Sequence, residues 1–156
     1  ILAPMSVHPN KPHRLDQIFQ SYDAPVYFMT FRASDRKPIL ATDSAHAAFR
    51  AYAAKAEPRG IAVGRYVIMP DHIHCFIRMA PQHRLGTTVR MMKRALSKGI
   101  QDPAPHCQPG FFDHLLRHIE SYSEKWNYVE QHPVRAGLVE KAADWKFQGE
   151  VVSIRF

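Results

Sequence analysis

Cysteine is scarce in this chain, and long apolar runs are missing. Among 156 residues there are two cysteines, Cys75 and Cys107. One pair without Cys-x-x-Cys spacing excludes a disulfide framework, so we expect both thiols to be reduced, as in a cytoplasmic protein. No apolar stretch approaches the ~20 residues that a bilayer-spanning helix needs, and we therefore expect no membrane partner.

Acidic residues are also few, with 14 Asp and Glu against 21 Lys and Arg and a net charge of +7. A small basic protein often binds nucleic acid, although charge alone does not establish it. Apolar residues make up 46% of the chain, which excludes a disordered polymer. We expect a single domain over residues 1–156, with a flexible arm over residues 1–14, where Pro, His and Lys are frequent.

Hydrophobic patterning predicts an α+β fold, a compact domain with a mainly antiparallel central sheet and helices packed on it. A strand hairpin that follows the first helix argues against an all-parallel sheet. Asp43 or Ser44 is predicted to cap the first helix, and Pro133 to close the last. Strands are predicted over residues 26–32, 61–69, 72–79 and 111–116, and helices over residues 43–57, 85–99 and 119–131.

The third predicted strand carries two histidines two residues apart. Side chains at i and i+2 of a strand point to the same face, so His72 and His74 project together. Ile73, Cys75 and Ile77 point the other way, into the core. Two imidazoles on one face can bind one divalent cation. His-x-His alone is a weak signal, because it is frequent by chance.

The last predicted helix presents a polar stripe. Tyr128 and His132 are four residues apart and share a face, on which Ser121 and Lys125 also lie. A helical tyrosine usually belongs to a core, so this stripe alone predicts little. The opposite, buried face is predicted to consist of Ile119, Tyr122, Trp126 and Val129.

Two segments taken together resemble a known family. Met69-Pro-Asp-His-Ile-His74, followed by Tyr128-Val-Glu-Gln-His-Pro-Val-Arg-Ala-Gly-Leu-Val139, is similar to the REP-associated tyrosine transposases. These belong to the single-tyrosine transposases of the wider HUH nuclease group. The likeness extends from about Arg14 to Trp145 and implies a ferredoxin-like HUH fold.

The resemblance implies a metal-dependent endonuclease and strand transferase. His72 and His74 would bind Mg²⁺ or Mn²⁺, and Tyr128 would attack a phosphate of single-stranded, hairpin-forming DNA to give a 5′-phosphotyrosine. The third ligand commonly lies four residues after the tyrosine, often as Asn or Gln. That position is His132 here, with Gln131 as the neighbouring alternative, because the residue before a proline is disfavoured in α geometry. The sequence leaves open whether Tyr128 acts within one chain or across a homodimer.

A basic ridge is predicted on the helix over residues 85–99. Arg90, Arg94 and Lys98 recur every four residues with Lys93 beside them, a pattern that suits contacts to DNA phosphates. The alternative interpretation is that these basic side chains only form a solvated helix face.

Two other functions stay open from the sequence. One is a domesticated protein that binds repeat or hairpin DNA without transposition activity. The other is an RNA-binding domain that presents Tyr27, Phe31 and Phe76 to bases, which would leave the paired histidines unexplained.

Overall fold

The computed structural model describes residues 24–155, apart from the side chain of Glu120. The flexible arm predicted at residues 1–14 lies outside the described residues. None of the described helices is long and apolar enough to cross a bilayer. In chain order, the elements are β1 (Val26–Arg32), α1 (Asp43–Ala56), β2 (Ile61–Ile68), β3 (His72–Met79), α2 (Leu85–Ser97), β4 (Phe112–Leu116), α3 (Ile119–Glu130), α4 (His132–Arg135) and β5 (Gln148–Glu150).

The five strands form one antiparallel sheet in the order β4-β1-β3-β2-β5, with β3 at its centre. Strand β1 pairs with β3 so that Thr30 lies opposite His74. On the other side of β3, Val67 of β2 also lies opposite His74. His74 therefore lies in the middle of the sheet, where neighbouring strands fix its position from both sides.

The three central strands of the sheet, β1, β3 and β2, are buried on both faces. On one face, Ile73, Cys75 and Ile77 join a core cluster with residues of α1 and α2, among them Phe49 and Met92. On the opposite face, a second cluster forms between sheet residues and α3: Val26, Phe28, Val67, Phe76, Tyr122 and Val129. This arrangement confirms the predicted α+β fold, with helices packed on a central antiparallel sheet. The sequence patterns did not predict the edge strand β5.

Two local expectations were wrong, and a third was incomplete. The N-cap of α1 is Thr42, whose extended backbone lets its hydroxyl accept from the Ala45 amide at 3.2 Å. As expected, α3 ends before Pro133, at Glu130, but a new helical turn follows: Pro133 lies in the first turn of α4, where a missing N–H breaks no helical hydrogen bond. Ile119, the first residue of α3, is 51% exposed, because α3 packs against the sheet only one turn later, at Tyr122.

Helices α1 and α2 approach each other closely at Gly99. The Ser44 hydroxyl donates to the Gly99 carbonyl at 2.6 Å. A Cβ on Gly99 would lie far inside contact distance of the Ser44 carbonyl oxygen and would also meet the Ala48 side chain. Only glycine therefore fits this crossing without a shift of backbone.

We expect Gly99→Ala to lower the free energy of unfolding by about 1–3 kcal/mol, as overpacking usually does. Gly86→Ala is the matched control, because the nearest atom to its added Cβ is 4.0 Å away and alanine favours helices. Urea denaturation of the two variants measures the difference. Equal stabilities would contradict the tight crossing.

Candidate metal and nucleophile site

Strand β3 presents two imidazoles on the sheet face that α3 covers. The rings of His72 and His74 lie 4.8 Å apart, centroid to centroid. His74 is buried, whereas the His72 side chain retains 17% exposure because it lies at the start of the strand. The two imidazoles therefore lie close enough together to bind one metal ion, as the prediction for this pair requires.

Hydrogen bonds occupy the Nδ1 atoms of both histidines. Nδ1 of His74 lies 2.7 Å from the Thr30 hydroxyl, and Nδ1 of His72 lies 2.7 Å from Oδ1 of Asp71. Nε2 of His74 is buried and has no hydrogen-bond partner among the residues that the structure describes. A buried polar atom without a partner is costly, and a metal ion would satisfy this one.

The break between α3 and α4 brings a third histidine to the pair. His132 begins α4, and its ring centroid lies 4.9 Å from that of His74 and 6.0 Å from that of His72. One ligand nitrogen from each ring lies within 4.8 Å of the others. Gln131, the alternative ligand, is an exposed residue between the two helices. The cluster His72, His74 and His132 is therefore the donor set that fits a divalent cation.

Two ligands of this cluster, His74 and His132, are held in the neutral form, chiefly by burial. Burial first, and then the charges that the neighbouring His72, His132, Lys125 and Arg32 can carry, lower the pKa of His74 to about 3. Burial and the nearby Arg135 likewise lower the pKa of His132. Neutral imidazoles bind metals without first losing a proton. The same positive surroundings suit an anionic substrate such as a phosphodiester.

Tyr128 stands beside the histidine cluster and faces solvent. Its ring is 61% exposed, and its centroid lies 5.4 Å from that of His132. The Arg135 guanidinium carbon lies 4.2 Å from the Tyr128 ring centroid, and Nη2 of Arg135 donates to the Tyr128 carbonyl at 2.8 Å. The same Nη2 contacts Nδ1 of His132. Arg135 thus connects the tyrosine to the third histidine.

Tyr122 lies on the buried side of α3. It is 5% exposed, its ring packs 4.4 Å from that of Phe76, and burial raises its pKa to about 12. A phenol in these surroundings is a poor nucleophile. Of the two tyrosines on α3, Tyr128 is the one that faces solvent.

The basic ridge predicted on α2 lies on the other face of the sheet. Arg90 and Arg94 are exposed, as is Lys98, which follows the last residue of α2. The Lys93 ammonium instead donates to the carbonyls of Gln108 at 2.8 Å and Gly110 at 2.5 Å. These cations are therefore not next to the histidine cluster, and any DNA that they contact reaches a second surface of the protein.

A groove of about 580 Å³ runs between α1 and α2. Its described lining includes five Lys and Arg side chains and no Asp or Glu, over a floor that contains Tyr52 and alanines. Three of these five were not predicted from the sequence, because only tertiary packing brings α1 and the chain before α2 to the ridge. The five are Lys55, Arg59, Arg84, Arg94 and Lys98.

Several residues that surround the histidines in the structure were likewise not predicted from the sequence to belong to the site. Thr30 is distant in the chain from His74, and Arg135, although it lies in the segment from Tyr128 to Val139, was given no contact with the site. Asp71 directly precedes His72 in the sequence, which was a usable signal, but no role was predicted for it. Lys125 was placed on the polar stripe, and its Nζ lies 4.9 Å from the Phe28 ring centroid.

A sequence profile of the family described as Transposase IS200 like matches residues 22–122, about two thirds of the chain. The chain belongs to this family. The matched span includes His72 and His74 and ends before Tyr128 and His132. The predicted resemblance to REP-associated tyrosine transposases is confirmed at the level of the family.

Two individual proteins agree with this assignment. The REP-associated tyrosine transposase of Escherichia coli strain K12 is 23% identical over 124 residues, which cover 78% of this chain and 73% of that protein. A solved structure of the REP-associated tyrosine transposase bound to a REP hairpin aligns with a TM-score of 0.65 at 22% identity, covering 80% of this chain and 76% of that one. At 22% identity, this structural similarity is evidence for the fold of the chain.

We expect His74→Ala to abolish detectable Mn²⁺ binding in isothermal titration calorimetry, because it removes the most buried of the three ligands. His83→Ala is the control, since the His83 ring contacts the Arg59 carbonyl beside the groove, away from the cluster. Circular dichroism checks that both variants remain folded. Mn²⁺ affinity that survives in folded His74→Ala would rule out this cluster as the metal site.

Proposed function

We propose that this IS200-like chain is a metal-dependent DNA strand transferase in which Tyr128 is the nucleophile. The observation that carries the proposal is the exposed Tyr128 ring, 5.4 Å from His132 of a three-histidine cluster. An exposed phenol beside a cluster of metal-ligating imidazoles suits nucleophilic attack on a phosphodiester.

The chemistry assigned to the protein is a transesterification. The Tyr128 oxygen attacks a DNA phosphorus, a bond from the tyrosine oxygen to phosphorus forms, and the bond from phosphorus to the 3′ oxygen breaks. The phenol loses its proton, and the 3′ oxygen leaves as a hydroxyl. A 5′-phosphotyrosine remains, and a DNA 3′-hydroxyl can reverse the step without ATP, because the number of phosphodiester bonds is conserved.

Different residues of this chain orient the nucleophile, attract the substrate and bind the metal ion. Arg135 holds the Tyr128 ring and backbone, so that the phenol stays next to the cluster. Lys125 and Arg32 add positive charge near His74, which favours an anionic substrate. The three imidazoles would hold a divalent cation, which would supply Lewis acidity to the phosphate in the transition state.

The three histidine ligands also affect which metal ion the site prefers. Mg²⁺ prefers oxygen ligands and gives up its water reluctantly, whereas imidazole nitrogens suit later divalent metals. Of the two ions that the family resemblance implies, Mn²⁺ fits three histidines better than Mg²⁺. We therefore propose Mn²⁺ as the preferred ion, with Mg²⁺ as the weaker one.

The proposed substrate is a single strand next to a DNA hairpin. The solved relative is described as bound to a REP hairpin. In this chain, the groove between α1 and α2 carries five cations and no described acid, as a contact surface for a phosphate backbone requires. Because the groove and Tyr128 lie on opposite faces of the sheet, we assign the folded stem to the groove and the single strand to the tyrosine.

Tyr128→Phe removes only the attacking oxygen. We expect it to retain hairpin binding and to lose the covalent protein–DNA adduct on denaturing gels with labelled hairpin DNA and Mn²⁺. Tyr122→Phe is the matched control and should form the adduct, since Tyr122 is buried against Phe76. An adduct that persists in Tyr128→Phe and maps to Tyr122 would refute the assignment.

Removing one positive charge from the groove should weaken hairpin DNA binding by the amount expected for one lost phosphate contact. For each of Arg94→Gln and Lys98→Gln, we expect the slope of log affinity against log salt to fall by roughly 0.9, the value for one lost duplex phosphate contact. Lys141→Gln, which alters an exposed cation outside the groove, is the control. Fluorescence anisotropy with hairpin DNA at several salt concentrations measures the slopes. Unchanged slopes in both groove variants would remove the groove from the DNA interface.

A further inference from the structure

Asp71 connects a distant arginine to one histidine of the cluster. Its Oδ1 lies 2.7 Å from Nδ1 of His72, and its Oδ2 accepts from Nε of Arg36 at 2.7 Å. The side chains of Arg36 and Asp71 are 49% and 25% exposed. Both oxygens of one carboxylate are thus engaged, one by the candidate ligand and one by the arginine.

The carboxylate determines which nitrogen of His72 carries the proton. An ionised carboxylate only accepts hydrogen bonds, so Nδ1 of His72 must donate to it. In a neutral imidazole with its proton on Nδ1, the lone pair is on Nε2. His74 is less constrained, because its partner Thr30 has a hydroxyl that can donate or accept.

The loop that carries Arg36 is shaped to meet Asp71. Asp35 and Arg36 both have φ of 54°, in the left-handed region that non-glycine residues seldom adopt. Backbone hydrogen bonds tie the loops together, from the Ala33 amide to the Asp71 carbonyl at 2.8 Å and from the Leu40 amide to the Pro70 carbonyl at 2.9 Å. A conformation of this kind persists only where its surroundings enforce it, which indicates a defined role for the arginine.

We propose that Asp71 is a positioning residue that presets the Nδ1–H tautomer of His72 and aims its Nε2 at the metal, with Arg36 holding the carboxylate in place. The proposal rests on the proposed metal site and adds to it a carboxylate support, which among the three histidines is described for His72 alone. A carboxylate behind a ligating imidazole also strengthens the imidazole as a donor.

The decisive variant is Asp71→Asn in the full chain. Nε of Arg36 can only donate, so it should take the oxygen of the introduced amide and leave the amide NH₂ facing His72. Nδ1 of His72 must then accept, and its proton moves to Nε2, the atom needed for the metal. We expect two-bond ¹H–¹⁵N spectra of the metal-free protein, at a mildly alkaline pH, to show Nδ1–H in wild type and Nε2–H in Asp71→Asn.

The second readout is metal affinity. We expect isothermal titration with Mn²⁺ to show a loss of about 10- to 100-fold in Asp71→Asn, the usual effect of removing such a support. Asp43→Asn is the matched control, because it removes the same charge from the exposed ion pair between Asp43 and Lys146. It should leave the His72 tautomer and the Mn²⁺ affinity as in wild type.

A double variant separates the role of Arg36 from simple loss of structure. In Arg36→Met combined with Asp71→Asn, the amide is free to turn its oxygen to His72, so we expect the Nδ1–H tautomer and part of the affinity to return. A His72 that stays Nδ1–H in Asp71→Asn, with unchanged Mn²⁺ affinity, would overturn the proposal. Wild-type protein that binds no Mn²⁺ would instead refute the metal site, and the metal-free spectra would still decide the tautomer.

Discussion

Strand β3 lies at the centre of the sheet, and the alternation of its side chains governs both the core and the site. Ile73, Cys75 and Ile77 face α1 and α2, while His74 and Phe76 face α3. Because the register against β1 and β2 is fixed on both sides, a slip by one residue would bury the histidines in the apolar core. The same pairing that builds the sheet therefore holds the imidazoles in place.

Helix α3 has to cover the histidine face without filling it. Tyr122 and Val129 pack on the sheet, and the helix stops at Glu130, before Pro133. The chain resumes as α4, which places His132 over β3 and leaves Tyr128 on the outside.

The sequence predicted the features that depend on local patterning. Strand alternation placed His72 and His74 together, and helical periodicity separated Tyr128 from Tyr122. Features that depend on tertiary contacts were missed or wrong, such as the Arg36–Asp71 pair and the exposure of Ile119. The proline signal at Pro133 located the helix end but not the new turn after it, because proline is equally suited to a first turn.

The most direct test of the metal site is a crystal structure of the full chain grown with Mn²⁺, with an anomalous difference map recorded at the manganese edge. We expect one strong peak within coordination distance of nitrogens of His72, His74 and His132, on the side of Tyr128. A peak elsewhere on the protein, or a site that omits either β3 histidine, would contradict the proposed centre.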